Sequence, residues 1–525
     1  MILIDQPMPF IIASPAFFPQ SPRTTSRIPR RTNMTTYAKP ASLILLAAFT
    51  AASAAAQQPL PVAPPDPAIA QALTRISPEK IHDDIAKLVS YGNRDTLSSM
   101  DTDLPPGTGV TPAADWIFAE FTRISEACGN CLEVRRDDFI EPGTAKSRIL
   151  QDTRIQNIYA VLKGTDPAQS ARRVLVTGHY DSRNADVTNT HDPAPGANDD
   201  ASGVAVSLES ARVLSKLRFP ATIVFVAVAG EEQGLNGSRH LAKLARSENW
   251  DLEAVLNNDI VGGDTTPGQT GQDKNAVRIF SEGVPAPTAT DQLRMIETLG
   301  SESDSPSREL ARAIGDVDHT YFHTQSSFTA KQPPNCKGFP SPAFHPVLIF
   351  RRDRFLRGGD HTSFNAEGFA AVRFTEWQEN FDHQHQTPRT AMGTLQNGTQ
   401  GMIEYGDFLK FVDFNYVANV ARLNAASLAT FASAPGEPQN VRVLTRSLDN
   451  NTELTWQPPA GAPAGTSYEV LWRATDAPNW TNLQSAGSAL TLKVPISKDN
   501  FIFGVRSSDP SGHKSPAVYP LPQNR

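Results

Sequence analysis

Two carboxylates, Glu231 and Glu232, stand side by side where the apolar run "VFVAVAGEEQGLNGS" (224–238) ends. Adjacent like charges repel unless something nearby compensates them. Other segments offer related groups: "VLVTGHYDS" ends in His179 and Asp181, and "LNNDIVGG" contains Asp259. "PGANDDASG" sets Asp199 just ahead of a helix-like stretch, and "RGGDHTSF" presents His361 in a Gly-led loop. Two imidazoles and three carboxylates suit Zn2+, which binds nitrogen and oxygen at about 2.0–2.2 Å. Five ligands exceed what one tetrahedral catalytic zinc with an open position takes, but they fit two ions if one carboxylate bridges. In His179-x-Asp181 the second residue can orient the first, because a carboxylate fixes the tautomer and direction of a ligating imidazole.

These segments span almost two hundred residues, so the fold must bring them together. Continuous β-rich runs at 173–180, 221–230, 254–260, 276–281, 346–352 and 369–376 alternate with helix-like stretches, notably 202–217 and 237–247. "IHDDIAKLVSY" and "AADWIFAEFTRISEA" space apolar residues three and four apart, as helices do. Buried runs alternating with helices predict an α/β domain with a mostly parallel central sheet flanked by helices. In such sheets ligands collect at the carboxyl ends of strands, which is where these side chains fall.

"GHYDS", "GANDDASG", "AGEEQGLNGS", "NND" and "GGDHTSF", in this order, resemble the motif series of the M28 family of co-catalytic zinc peptidases. The resemblance covers about residues 80–430 and implies a zinc-exopeptidase-like fold. It implies two Zn2+ ions per subunit, one held by His179 and Asp259, the other by Glu232 and His361, with Asp199 bridging. Glu231 would be the general base and Asp181 the partner that orients His179. The reaction implied is hydrolysis of N-terminal residues from peptides, with water activated at zinc and its proton taken by Glu231.

Rival readings have their own signatures. A carboxypeptidase or dipeptidase needs a cationic clamp, for which Arg351, Arg352 and Arg357 are available. A glutaminyl cyclase of the same scaffold would use one zinc, and a non-catalytic binding protein would need none of these groups. Asp200 reads as a first-turn helix acid before a ligand, and His191-Asp192 as a solvated loop. Asp360 is a candidate for a supporting or capping group. "NFDHQHQTPRT", with His383 and His385, resembles a later His-Thr-Pro region of the family, but Arg389 stands where an acid is common there, so the segment receives no role.

The remainder bounds the protein's setting. "KPASLILLAAFTAASAAA" has a cation, a short apolar run and a small-residue end, so residues 1–56 read as a signal region, and the protein is expected to be secreted or periplasmic. No stretch reaches the ~20 apolar residues of a membrane span. The net charge of −7 disfavours a nucleic-acid partner, which requires concentrated positive charge. Cys128 and Cys131 read as a short local bridge or two free thiols, with Cys336 left over. Residues 57–78 are Pro/Ala/Gln-rich and read as a flexible linker; the peptidase-like domain runs over 79–432. After a linker-like "ASAPGEPQN", residues 436–525 give short alternating strands, a small all-β sandwich resembling a fibronectin type III module at Trp456, Tyr468 and "FGVR" (503–506). That domain could bind a surface or polymer, or act as a spacer.

Overall fold

The apolar runs assemble into one eight-stranded sheet: β1 (Leu132–Glu141), β2 (Thr153–Leu162), β3 (Arg172–His179), β4 (Thr222–Val228), β5 (Asp251–Asn258), β6 (Ala276–Ser281), β7 (His345–Ile349) and β8 (Ala371–Glu376). Their order is β1-β2-β4-β3-β5-β8-β6-β7. The structure is a computed structural model, describing residues 60–523 apart from 270, 324–340, 342, 396, 397 and 447. The signal region and Cys336 lie outside the described residues. Strands β4, β3, β5 and β8 run parallel, while β2 joins β4, and β6 joins β8, antiparallel. The parallel centre is buried along its length, as sheets covered on both faces must be.

Two of these strands are absent from the apolar-run reading. β1, "LEVRRDDFIE", is an edge strand with a half-exposed pattern, and its charges pair with β2, as in Arg154 with Asp138. β2 is buried, but Arg154, Gln156 and Asn157 break its apolar pattern.

The helices are α1 (Pro67–Leu73), α2 (Pro78–Val89), α3 (Val110–Ala127), α4 (Ala201–Leu214), α5 (Asn236–Ser247), α6 (Thr290–Leu299), α7 (Pro306–Asp318), α8 (His361–Ala366) and α9 (Phe414–Ser433). Ser77 and Ser305 cap α2 and α7, each ahead of a proline, whose missing N–H costs nothing at a helix start. α4 is rich in Ala, Ser and Val and buried nearly all round, because it is sandwiched between the sheet and α2 and α9.

The expected linker 57–78 is corrected over its described part. α1 buries Ile69 and Leu73, and Arg422 of α9 donates to the Leu73 and Ile76 carbonyls. Proline, which suggests a linker, here sits in the first turn of α1 behind the capping Asp66.

Beyond a hairpin of β9 (Arg389–Thr394) and β10 (Gln400–Tyr405), two small sheets follow α9. One is ordered β15-β12-β11-β17 and the other β14-β13-β16, from β11 (Gln439–Val443), β12 (Thr452–Gln457), β13 (Ser467–Ala474), β14 (Asn482–Gly487), β15 (Thr491–Val494), β16 (Phe501–Ser508) and β17 (Leu521–Pro522). Leu454 and Trp456 of one sheet share a core with Tyr468, Val470, Phe503 and Val505 of the other, the alternation expected of a sandwich.

The sandwich and the α/β part belong to one compact unit. Arg473 pairs with Asp304 at 2.6 Å and Trp480 Nε1 donates to Glu309 at 2.8 Å, both buried. Arg506 reaches Asp316 at 2.7 Å, and Ser507 donates to the Gly436 carbonyl. Cys128 and Cys131 form a disulfide just after α3.

Candidate metal centre

The ends of β3, β4 and β5 are neighbours because the parallel register aligns His179 with Val228 and Thr177 with Asn257. His179 is therefore the last residue of β3, Glu231 and Glu232 follow β4, and Asp259 follows β5. Asp199 arrives from the turn before α4. Gly196 supplies the positive φ (51°) of that turn, and a Cβ there would lie 2.6 Å from the Asp199 carbonyl. Ile260, next to Asp259, is also left-handed (φ 61°), a costly state for a β-branched residue and one that concentrates at functional sites.

His179 Nε2 lies 3.2 Å from Asp199 Oδ1 and 4.0 Å from Asp259 Oδ1. Asp199 Oδ2 lies 2.9 Å from His385 Nε2, which is also 3.1 Å from Glu232 Oε1. Two sets result, His179–Asp199–Asp259 and Asp199–Glu232–His385, each with ligand atoms within 4.8 Å of one another and with Asp199 in both. His179 Nε2 and Glu232 Oε1 are buried and face only the other members of these sets, as atoms suited to a shared cation would. Nitrogen and carboxylate donors in these numbers fit a pair of zinc ions sharing a carboxylate.

Asp181 organises the centre. One oxygen faces His179 Nδ1 at 3.3 Å and accepts from the Glu231 N–H at 3.4 Å. The other accepts from Thr96 Oγ1 at 3.0 Å and from the Glu232 N–H at 3.1 Å. His179 Nδ1 also lies 3.1 Å from the Asp181 carbonyl, so Asp181 holds the imidazole through both its backbone and its side chain, while its carboxylate fixes the backbone of the Glu pair. Asp200 acts structurally: it caps α4 through the Gly203 N–H and accepts from the His179 and Ile260 N–H groups.

The electrostatics describe a site that attracts cations. Burial raises the Glu231 carboxyl, and Glu232 and Asp259 reinforce that rise against the pull of His179, leaving it well above its usual range. Burial pulls His179 down, but Asp181 and Asp199 outweigh it and hold the imidazole well above its usual range. His385 is treated alike, pushed up to about 10 by Glu232 and Asp199 against burial.

The structure corrects one expected position. His361 joins neither set: it begins α8, and its Nε2 lies 2.8 Å from the Arg352 carbonyl and 3.6 Å from Asp353. His385 occupies the place beside Glu232, on a left-handed residue (φ 56°) between β8 and β9. The "DHQHQTP" stretch carries the signal, two histidines in a short polar loop after the last strand of the sheet. Arg389 in fact stacks on Tyr405. His383 supports the loop from beneath, stacked on Phe411 and 3.3 Å from Asp264. Sequence reasoning also missed Asp407, which accepts from the Asn198 and Asp199 N–H groups, and Gln384, which donates to Asp199. Both are polar residues in loops, with no pattern around them.

A model of peptidase family M28 matches residues 157–330, which contain every member of the two sets except His385. A probable zinc metalloprotease of Leptosphaeria maculans is 42% identical over 460 residues, covering 87% of this chain and 98% of that one. One from Pyricularia oryzae is 42% identical over 464 residues, covering 87% and 85%. The chain belongs to peptidase family M28. Among solved structures, the LapA aminopeptidase of Legionella pneumophila is similar over 70% of this chain and 74% of its own, with 18% identity and a TM-score of 0.45. A glutaminyl cyclase of Porphyromonas gingivalis is similar over 67% and 97%, with 16% identity and a TM-score of 0.42.

Proposed function

We propose that this M28 zinc metallopeptidase is a two-zinc aminopeptidase working outside the cytoplasm. The observation that carries the reading is the pair of ligand sets meeting at Asp199, with Glu231 beside them. His179 and Asp259 would hold one ion, Glu232 and His385 the other, and Asp199 would reach both. Zinc, when bound, supplies Lewis acidity toward the scissile carbonyl and lowers the pKa of water. Glu231 takes the proton of the attacking water and returns it to the leaving amine. Asp181 keeps His179 in one tautomer and sets the backbone from which Glu231 and Glu232 diverge.

Charge supports cleavage at the amino end. A carboxylate-rich floor suits the protonated amine of a peptide N-terminus. Of the arginines that a carboxypeptidase clamp could draw on, Arg357 is tied to Glu379 and Arg352 donates to the Thr362 carbonyl. The Cys128–Cys131 disulfide suits the oxidising compartment to which the N-terminal pattern points. The C-terminal sandwich, read as fibronectin type III-like, supports α7 through buried polar contacts and need not be a substrate-binding arm.

A panel of leucine-led peptides tests this reading. Release from free but not N-acetylated peptides, abolished by a chelator and restored by zinc, is expected. Release from acetylated peptides alone, or chelator-resistant turnover, overturns it. One zinc per chain with conversion of N-terminal glutamine peptides assigns the protein to the cyclase reaction instead.

A further inference from the structure

One arginine beside the metal centre has nothing to hold. Arg183 lies in the loop after β3, and its side chain is only 15% exposed. Its nearest acid, Glu232, is 3.7 Å from Nε, too far for a hydrogen bond. Nε is buried without a partner, and the guanidinium makes no hydrogen bond among the described residues. The other acids that feel its charge accept from elsewhere, Asp95 from Gln233 and the Leu97 N–H, and Asp186 from Thr188. Other arginines around the centre are filled. Arg354 donates to Asp353, Glu379 and the Gly358 carbonyl, and Arg373 to the Gly358 and Asp259 carbonyls. The loop that carries Arg183 is pinned on two sides. The Ala185 N–H donates to Thr387 Oγ1 at 3.4 Å, just beyond His385, and Gln233, next to Glu232, donates to the Val187 carbonyl at 3.3 Å. Arg183 therefore stands beside the Asp199–Glu232–His385 set.

We infer that Arg183 is a specificity residue that recognises a carboxylate of the peptide substrate close to the scissile bond. The inference rests on the aminopeptidase reading above. A covered guanidinium with five donors and no acceptor is unsatisfied until something supplies one. Glu232 does not, because it is committed to the ligand set. The planar fork of an arginine matches a carboxylate with two parallel bonds, which an amide or an apolar side chain does not reproduce. At 3.7 Å from a member of the ligand set, the fork reaches only residues that flank the bond being cut. Three substrate groups meet that condition: the α-carboxylate of a dipeptide, an acidic side chain after the scissile bond, and one before it. The acids of the floor take the amine of such a peptide, and Arg183 takes its carboxylate.

Three peptide pairs, each differing by one carboxylate, test the inference on the full-length zinc-loaded protein. They are leucyl-leucine against its amide, leucyl-glutamate amide against leucyl-glutamine amide, and aspartyl-leucine amide against asparaginyl-leucine amide. Wild type should favour the carboxylate member of at least one pair by roughly tenfold or more in kcat/KM, the effect of a charge-assisted hydrogen bond. That pair names the source of the carboxylate. In Arg183→Met the preference should vanish through KM, with zinc content and melting temperature kept. Calorimetric binding of the same pair to Glu231→Gln, with and without Arg183→Met, should show the same loss. Wild-type ratios near one in all three pairs, or a preference that survives a folded Arg183→Met, overturn the inference. Zinc lost from that folded variant also overturns it, since Arg183 then serves as a support for Glu232. If Arg183→Met does not fold, Arg183→Lys decides: loss of the fork should reduce the preference several-fold, and an unchanged preference overturns the inference. No release from any peptide with a free amino end defeats the aminopeptidase reading instead.

Discussion

At the scale of residues, neighbouring groups of the same type have different surroundings and therefore different work. Glu232 directs Oε1 at His385, while Glu231 lies outside both ligand sets with its carboxyl pushed up by burial and by Glu232. Glu231→Gln should therefore retain zinc and lower kcat by about 10²–10⁴, the usual contribution of a general acid–base. Glu232→Gln should instead lower zinc content, and elemental analysis beside a peptide assay separates the two. The histidines make a similar pair. His385→Ala should lose zinc, whereas His361→Ala should keep it and show its effect as a lower melting temperature, because His361 is buried against Arg352 and Asp353. Zinc loss in His361→Ala with zinc retained in His385→Ala would reverse the assignment.

At the scale of elements, the centre depends on a few side chains that tie strand ends to helix starts. Asp200 accepts from Gly203 in α4, from His179 in β3 and from Ile260 after β5. Asp200→Ala removes a helix cap worth about 1 kcal/mol and orphans two buried donors at roughly 1–3 kcal/mol each. Denaturant unfolding should show a loss of several kcal/mol, and activity should fall with it, since the displaced N–H belongs to a ligand. The close packing of these elements has a sequence requirement as well. A Cβ on Gly203 would lie 2.2 Å from the Asn258 carbonyl, so α4 can approach β5 only with glycine there.

At the scale of the whole molecule, the sandwich and the α/β part act on each other through α7. Ending the chain after about residue 435 would strip Arg473 from Asp304 and Trp480 from Glu309, leaving buried acids with fewer partners. Such a protein should melt lower and lose activity on small peptides, whereas a tethered spacer would leave both unchanged. The same contact gives a pH dependence. Burial pushes Glu309 up to about 7, against the pull of Arg312. A carboxyl that binds its proton more tightly when folded contributes stability at low pH and loses it as pH rises through its folded value. Wild type should therefore lose stability from about pH 5 to about 7 through this group, and Glu309→Gln should flatten that part of the profile in thermal melts.

The sequence by itself determined the parallel core and its flanking helices, and it pointed to most of the candidate site. Strands β3, β4, β5 and β8 are written as apolar runs because they lie inside the sheet and are buried, and His179, Asp181, Glu231, Glu232 and Asp259 stand where those runs stop, with Asp199 in the turn before α4. The alternation of the final strands likewise announced a sandwich. Tertiary structure decided what depends on groups distant in the chain. α1 reads as a linker because its helix is secured by Arg422, over three hundred residues away. β1 is missing from the apolar runs because an edge strand keeps its charges. His361 and His385 are both plausible ligands by type and spacing. Only the path of the loops places one against the Arg352 carbonyl and the other between Asp199 and Glu232, since a ligand is defined by direction in space, which residue order does not encode.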